Sequence, residues 1–253
     1  MNFFRFGKGE NTLVILPGLS VKSVMDSANA VKAEYALMEN DFTVYVFDRR
    51  SELSSAYPVS EMAEDTATAF RALGLRDICL FGASQGGMIA MEIAIEHPEL
   101  VRKLALGSTS AHVREEQYRV IENWIDLAKK KDGTGLYLDF GKKIYPPEIF
   151  SQYRNIFASF GKTVTDAEFE RFIILAEGTK GFNVSDRLKT IKCPVSAIGA
   201  YDDAVLGPDA AAEIAEKLNN RPDFEFYMYN GYGHAAFDTA PDYRDRLLRF
   251  FMQ

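Results

Sequence analysis

The sequence predicts an α/β fold: a mostly parallel, doubly wound sheet with helices on both faces, interrupted once by a helical insertion. Short apolar runs of strand character alternate with segments of helical spacing, an order that produces parallel strands joined by crossover helices. The alternation stops at Ser108, resumes at Pro194, and between them only helical patterns occur. The residue types suited to chemistry fall just after strand ends, the edge where open α/β sheets bind ligands. A chain of 253 residues can bury one full core with an insertion.

Taken in order, residues 3 to 16 read as a short leading strand, a turn at Gly7 and Gly9, and an apolar strand from Thr12 to Leu16 that stops at Pro17-Gly18-Leu19-Ser20. From Val21 to Met38 the apolar positions Val21, Val24, Met25, Ala28, Val31, Tyr35 and Met38 recur at helical spacing and predict one amphipathic helix. Phe42 to Phe47 is the next strand, and Ser60 to Leu73 the helix that returns the chain. Asp77 to Ile95 then runs from strand through Gly82-Ala83-Ser84-Gln85-Gly86 into a helix, which His97-Pro98 stops before the strand Val101 to Leu106. The insertion holds helices over Val113 to Lys131, near Tyr137, over Glu148 to Phe160, and after Thr165-Asp166-Ala167-Glu168, a capping-box sequence. The sheet resumes with Pro194 to Ile198, a helix from Pro208 to Leu218, the strand Phe224 to Tyr229 and a last helix from Asp242 to Phe251. The expected division is a core of residues 1–110 and 187–253 with a helical cap at 111–186.

Composition narrows the partners. A formal net charge of -7 disfavours nucleic acid and acidic lipid, whose binding needs clustered Lys and Arg. The one basic run, Lys129-Lys130-Lys131, suits a solvated helix end. No stretch approaches the roughly 18 apolar residues of a membrane span, and the N-terminus lacks the apolar core of a signal peptide, so a cytoplasmic location is expected. Cys79 and Cys193 sit in apolar runs outside any metal or redox spacing and read as buried small hydrophobes.

The strand-turn-helix around Ser84 has the form of a nucleophile elbow. Glycines two residues either side of the serine let strand and helix backbones approach where a Cβ would clash. The N–H of Gln85 then opens the helix without an intrahelical partner, suited to an oxyanion. A serine hydroxyl needs a base, and the base an orienting carboxylate. Of the three histidines, His234 is placed for this work, in the glycine-flanked loop Gly231-Tyr232-Gly233-His234 after a strand. His97 stands at a helix end and His112 where the insertion begins. Asp202 and Asp203 compete for the acid.

With these residues the chain resembles the α/β-hydrolase superfamily, of the small, cap-bearing kind. The resemblance rests on Gly82-Ala83-Ser84-Gln85-Gly86, His97-Pro98-Glu99-Leu100-Val101, Gly199-Ala200-Tyr201-Asp202 after Cys193-Pro194, and Gly233-His234, with the superfamily's order of Ser, Asp, His. It implies Asp202 as the acid, three residues after the glycine that ends its strand, and a second oxyanion donor at the N–H of Leu19 in Pro17-Gly18-Leu19. Pro17 stands where many relatives have histidine, and Asp48-Arg49-Arg50-Ser51 departs from the usual Asp-x-Arg-Gly; a structural salt bridge is the expected use of these arginines. The resemblance further implies acyl transfer to water by Ser84, His234 and Asp202, with Gln85 and Leu19 at the oxyanion and neither metal nor organic cofactor. Serine at position 84 separates the chain from the dehalogenase and epoxide-hydrolase branches, which use aspartate there.

The insertion is rich in aromatics, most of them expected to be its own core, because Tyr118, Ile121, Trp124, Ile125 and Ala128 share one helical face. A few are expected to line the pocket and accept a small molecule with an apolar or aromatic acyl or alkyl group. A carboxylesterase-like hydrolase of small esters is the leading expectation. A carbon–carbon bond hydrolase, lactonase, thioesterase, aminopeptidase or acyltransferase on the same triad stands beside it, and so does a ligand-binding receptor of low turnover.

Overall fold

A computed structural model describes residues 1–53 and 56–253. The strands are β1 (Phe3–Phe6), β2 (Asn11–Leu16), β3 (Phe42–Phe47), β4 (Ile78–Ala83), β5 (Val101–Gly107), β6 (Val195–Ala200) and β7 (Phe224–Tyr229). They form one sheet in the order β1-β3-β2-β4-β5-β6-β7, parallel except for β1, which pairs antiparallel with β3 at the edge. Leu13 of the central β2 lies opposite Val44 of β3 and Cys79 of β4. Every residue of β4 and β6 is buried, as strands covered on both faces require.

Because side chains alternate across a strand, the buried core divides into two clusters, one on each sheet face. Val14, Leu80, Leu104 and Ala197 join one, under α2 (Val59–Ala72), α3 (Gln85–Glu96) and α8 (Asp209–Leu218). Leu13, Ile15, Cys79, Phe81 and Ala105 join the other, with α10 (Tyr243–Met252). Both cysteines are buried and free.

The predicted helix over Val21 to Met38 is broken instead into a 3-10 turn at Val24–Ser27, a short α1 at Ala28–Glu34 and a second 3-10 turn at Ala36–Met38. The Ser23 hydroxyl accepts from the Met25 N–H and starts the tight first turn. Val21 is buried in one core cluster, whereas Tyr35 and Met38 are buried in the other. One straight helix face cannot serve both, and α1 itself buries no residue.

Between β5 and β6 lie α4 (Glu115–Lys129), α5 (Gly133–Ile144), α6 (Pro147–Gly161) and α7 (Asp166–Glu177). A bridge between His112 and Asn183 closes the base of this insertion. Thr165 and Glu168 form the anticipated capping box on α7, and Tyr118, Ile121, Trp124, Ile125 and Ala128 make the buried face of α4. The helices α5 and α6 meet through glycine, a Cβ on Gly133 falling 2.2 Å from the Gly161 carbonyl oxygen. Lys129 and Lys131, at the end of α4, pair with Glu177 and Asp166. Among the described residues no helix is long and apolar enough to cross a membrane.

A close backbone contact joins β2, β4 and α3. A Cβ on Gly86 would stand 2.0 Å from the Leu16 carbonyl oxygen, and one on Gly82 2.3 Å from the Gly86 carbonyl oxygen. Gly86→Ala is expected to lower stability by about 3 kcal/mol, because rigid backbone rather than a flexible side chain must give way. Urea denaturation of variant and parent measures it, and equal midpoints would show that the contact relaxes freely.

Candidate active site

Ser84 occupies the junction of β4 and α3 with φ 52 and ψ -122, a conformation that side chains rarely adopt. The surroundings overdetermine it. Its N–H donates to the Gly107 carbonyl at 2.8 Å, and its own carbonyl accepts from Gly87, Met88 and the Thr109 hydroxyl. The hydroxyl is thereby lifted off the sheet edge.

His234 arrives from the loop after β7, between which and α9 (Ala236–Thr239) Gly231 and Gly233 take φ of 83° and 61°. Its ring is buried, with Nε2 at 3.0 Å from the Ser84 hydroxyl and Nδ1 at 2.8 Å from a carboxylate oxygen. That carboxylate belongs to Asp203, and the expectation of Asp202 is corrected at this point. The strand β6 continues one residue past Gly199, through Ala200, and Tyr201 still donates to the Tyr229 carbonyl. The chain bends only after that, so Tyr201 and Asp202 point to solvent and Asp203 turns inward. Counting three residues from the glycine stops one residue short.

Both aspartates have structural tasks. Asp202 accepts from the N–H of Gly231 and Gly233 at 3.1 and 2.9 Å and so shapes the loop that carries His234. Asp203 accepts from the N–H of Val205 and Leu206 through its other oxygen, at 2.8 and 2.9 Å. Burial alone would raise the Asp203 carboxyl; His234 and these two amides outweigh it and hold the group below its ordinary value.

Gln85 is the first residue of α3, whose opening N–H groups lack intrahelical acceptors. Gly18 sits so close to Ser84 that a Cβ there would be 3.2 Å from the Ser84 Cβ, and Leu19 follows it along the same cavity wall. Ser84, Gln85, Leu19 and His234 therefore gather at one sheet edge, while His97 lies apart with Glu64 and Arg71, and His112 at the foot of the insertion.

Two arginines tie this edge together. Buried Arg49 donates to the Pro17 carbonyl at 2.7 Å and to the Gln85 side-chain oxygen at 3.1 Å, and the Gln85 amide donates in turn to the Leu175 carbonyl of α7 at 2.7 Å. Burial lowers the Arg49 guanidinium to about 10, which leaves it charged at neutral pH. Its neighbour Asp48 accepts from Ser23 and from Arg171 of α7, the latter at 2.6 Å. The salt bridge expected of these arginines is made by Arg50, whereas Arg49 does something sequence reading missed: it holds the Pro17-Gly18-Leu19 loop against the elbow. Arg50 pairs separately with Glu61 and Asp65.

A cavity of about 540 Å³ opens beside Ala83. The loop from Pro17 to Ser23 walls one side, Tyr137, Phe140, Phe157 and Phe160 of the insertion the other, and Phe237 and Asp238 of α9 close it near His234. A separate groove of about 470 Å³ at the β1 edge, lined by Phe3, Phe47, Arg50, Asp65 and Leu73, includes neither Ser84 nor His234.

A seven-stranded sheet with one antiparallel edge, a serine on a strained strand-to-helix turn, and a histidine after the last strand define a class, and comparison with known proteins returns the same one. The model for the alpha/beta hydrolase fold matches residues 11–134, and the chain has the α/β-hydrolase fold. It is 27% identical to the mouse serine hydrolase BPHL over 137 residues, which span 51% of this chain and 46% of that protein. It is 24% identical, over 85% of both chains, to RutD of Agrobacterium fabrum, named as a carbamate hydrolase. Among solved structures, the α/β hydrolase MGS-M2 from a deep-sea metagenome library superposes with a TM-score of 0.87 at 19% identity, covering 100% of this chain and 94% of that one. The enol-lactonase of Burkholderia xenovorans does so with a TM-score of 0.84 at 15% identity, covering 100% and 96%. These two likenesses are of fold.

Because Asp48 is buried and its half-buried partner Arg171 joins the core to the insertion, removing the arginine strands the Asp48 charge. Arg171→Met is expected to cost about 3 kcal/mol in urea denaturation. A loss below about 0.5 kcal/mol would mean that the pair is as weak as a solvated one.

Proposed function

We propose that the chain is a serine hydrolase that cleaves a small ester with an apolar or aromatic acyl or alkyl group through a covalent acyl-enzyme. The observation that carries this is the relay from Ser84 through His234 to Asp203, at 3.0 and 2.8 Å, with the serine on its strained turn. A hydroxyl hydrogen-bonded to an imidazole, itself oriented by an ionised carboxylate, is an activated nucleophile.

In this reading Ser84 Oγ attacks the substrate carbonyl carbon while His234 Nε2 takes the hydroxyl proton. Asp203 accepts from Nδ1–H, which fixes the tautomer and balances the imidazolium. The amides of Gln85 and Leu19 donate to the tetrahedral oxyanion, with Arg49 keeping the Leu19 loop in place. His234 then hands its proton to the leaving alcohol. Water enters, gives a proton to the same nitrogen and attacks the acyl-enzyme, and the acid leaves as Ser84 recovers its proton. The helices from 111 to 186 act as the cap, and their aromatic rings form the wall against which the apolar part of the substrate rests. A carbamate is the second reading, favoured by the match to RutD along most of both chains. Its carbonyl would be attacked in the same way.

Hydrolysis of p-nitrophenyl esters from acetyl to decanoyl, with an aryl carbamate alongside, tests the proposal. Ser84→Ala should lower kcat at least about a thousandfold. Turnover equal to that of the variant on every compound would end the reading. The two aspartates separate in the same assay. Asp203→Asn should lower kcat by about ten-thousandfold, because the wrong tautomer is then stabilised, whereas Asp202→Asn, which only loosens the loop, should cost about tenfold or less. The reverse order would return the acid to Asp202.

A further inference from the structure

Asp238 follows His234 by four residues on α9 and lines the same cavity as Leu19 and Ala83. Its Oδ2 accepts from the Tyr145 hydroxyl at 3.3 Å. Among the described residues no lysine or arginine forms an ion pair with its carboxylate. Arg244 donates to the Asp238 backbone carbonyl at 3.0 Å and pairs its other terminal nitrogen with Glu34. Lys22, the one cationic residue of the cavity lining among the described residues, is held by Glu168 at 3.4 Å, while Asp26 adds a second acid to the wall.

The Asp238 side chain is exposed, and it lines the cavity. Burial pushes its carboxyl up to about 6, against the hydrogen bond from Tyr145 and the pull of His234. Among the described residues no cationic side chain offsets the partial desolvation of this carboxylate against the cavity wall. It is not spare catalytic machinery, since both ring nitrogens of His234 are occupied, by Ser84 and by Asp203. Tyr35, Tyr137, Phe140, Phe157, Phe160 and Phe237 line the same cavity, among aliphatic and small polar residues. Ring faces attract cations, and a charged acid among several rings is how ammonium groups are held.

We propose that Asp238 selects substrates that carry a positively charged ammonium group, which it binds by charge while the cavity's aromatic rings surround its alkyl substituents. The proposal deepens the hydrolase reading and rests on Ser84 opening on this cavity. An anionic substrate would be repelled by Asp238 and Asp26, and a neutral one would leave the acid uncompensated.

The test compares two p-nitrophenyl esters of one shape, the 4-(trimethylammonio)butanoate and the 5,5-dimethylhexanoate, with homologues one and two methylenes longer. The cationic ester should exceed its neutral twin at least tenfold in kcat/KM at pH 8 for the best chain length. Asp238→Asn should lower that ratio at least tenfold, and Asp238→Glu should restore part of it. The ratio should also fall as pH drops through about 6, where Asp238 takes up its proton. The titratable and charged groups that face it are Tyr35, Tyr145, Tyr243, His234 and Arg244, with Lys22 and Asp26 on the cavity wall. His234 serves both esters and cancels in the ratio. A wild-type ratio near one, unchanged in Asp238→Asn, would overturn the proposal. Should no ester be turned over faster than by Ser84→Ala, the hydrolase reading fails, and the cation site is then judged by calorimetric titration of butyltrimethylammonium into Ser84→Ala. Binding that Asp238→Asn abolishes would uphold the site, and no binding by either protein would refute it.

Discussion

The close approach of β2, β4 and α3 is the constraint on which the rest depends. Gly82 and Gly86 let three backbones meet at distances no Cβ would allow, and the chain between them has no room except in the strained conformation of Ser84. Strain of this kind persists only where neighbours overdetermine it. Here the carbonyl of Gly107, the Thr109 hydroxyl and the first turn of α3 all hold the serine backbone. The hydroxyl is held beyond the sheet edge before any partner reaches it.

Polar groups then fix what surrounds the serine, each buried charge answered by a directed contact. Arg49 draws the Pro17 carbonyl and the Gln85 side chain to one point, and Gln85 passes the linkage to α7. Asp48 reaches the same helix through Arg171 and the 3-10 turn through Ser23. The insertion is thus tied to the turn at Gly18-Leu19 and to the elbow by one connected network. Such a network is expensive to break at any member, because a lost partner leaves a charge without water.

The cavity follows from these placements. The aromatic rings of α5 and α6 have an inner side because Gly133, Gly141 and Gly161 bring the two helices together. Tyr137, Phe140, Phe157 and the partly exposed Phe160 line the space beside Ala83, while Tyr153 and Ile156 are exposed outside it. Asp238 is the charged exception near His234, and the apolar volume around it is what gives its charge consequence.

Much of this was legible in the residues. Periodicity found every strand to within about two residues, because strand burial is repetitive and local, and the glycine spacing announced the turn at Ser84. Tertiary structure decided what depends on a single bend or on meetings across the chain. Whether Asp202 or Asp203 meets His234 turns on one extra strand residue, Ala200, which spacing from Gly199 does not register. The helix expected from Val21 to Met38 broke because Val21 and Met38 belong to opposite faces of the sheet. Arg49 and Asp238 carry no motif at all. Their partners stand far away in sequence, as Gln85 does from Arg49 and Tyr145 from Asp238. A local pattern records which face of its own element a residue occupies; the charge it meets there is set by how the elements fold together.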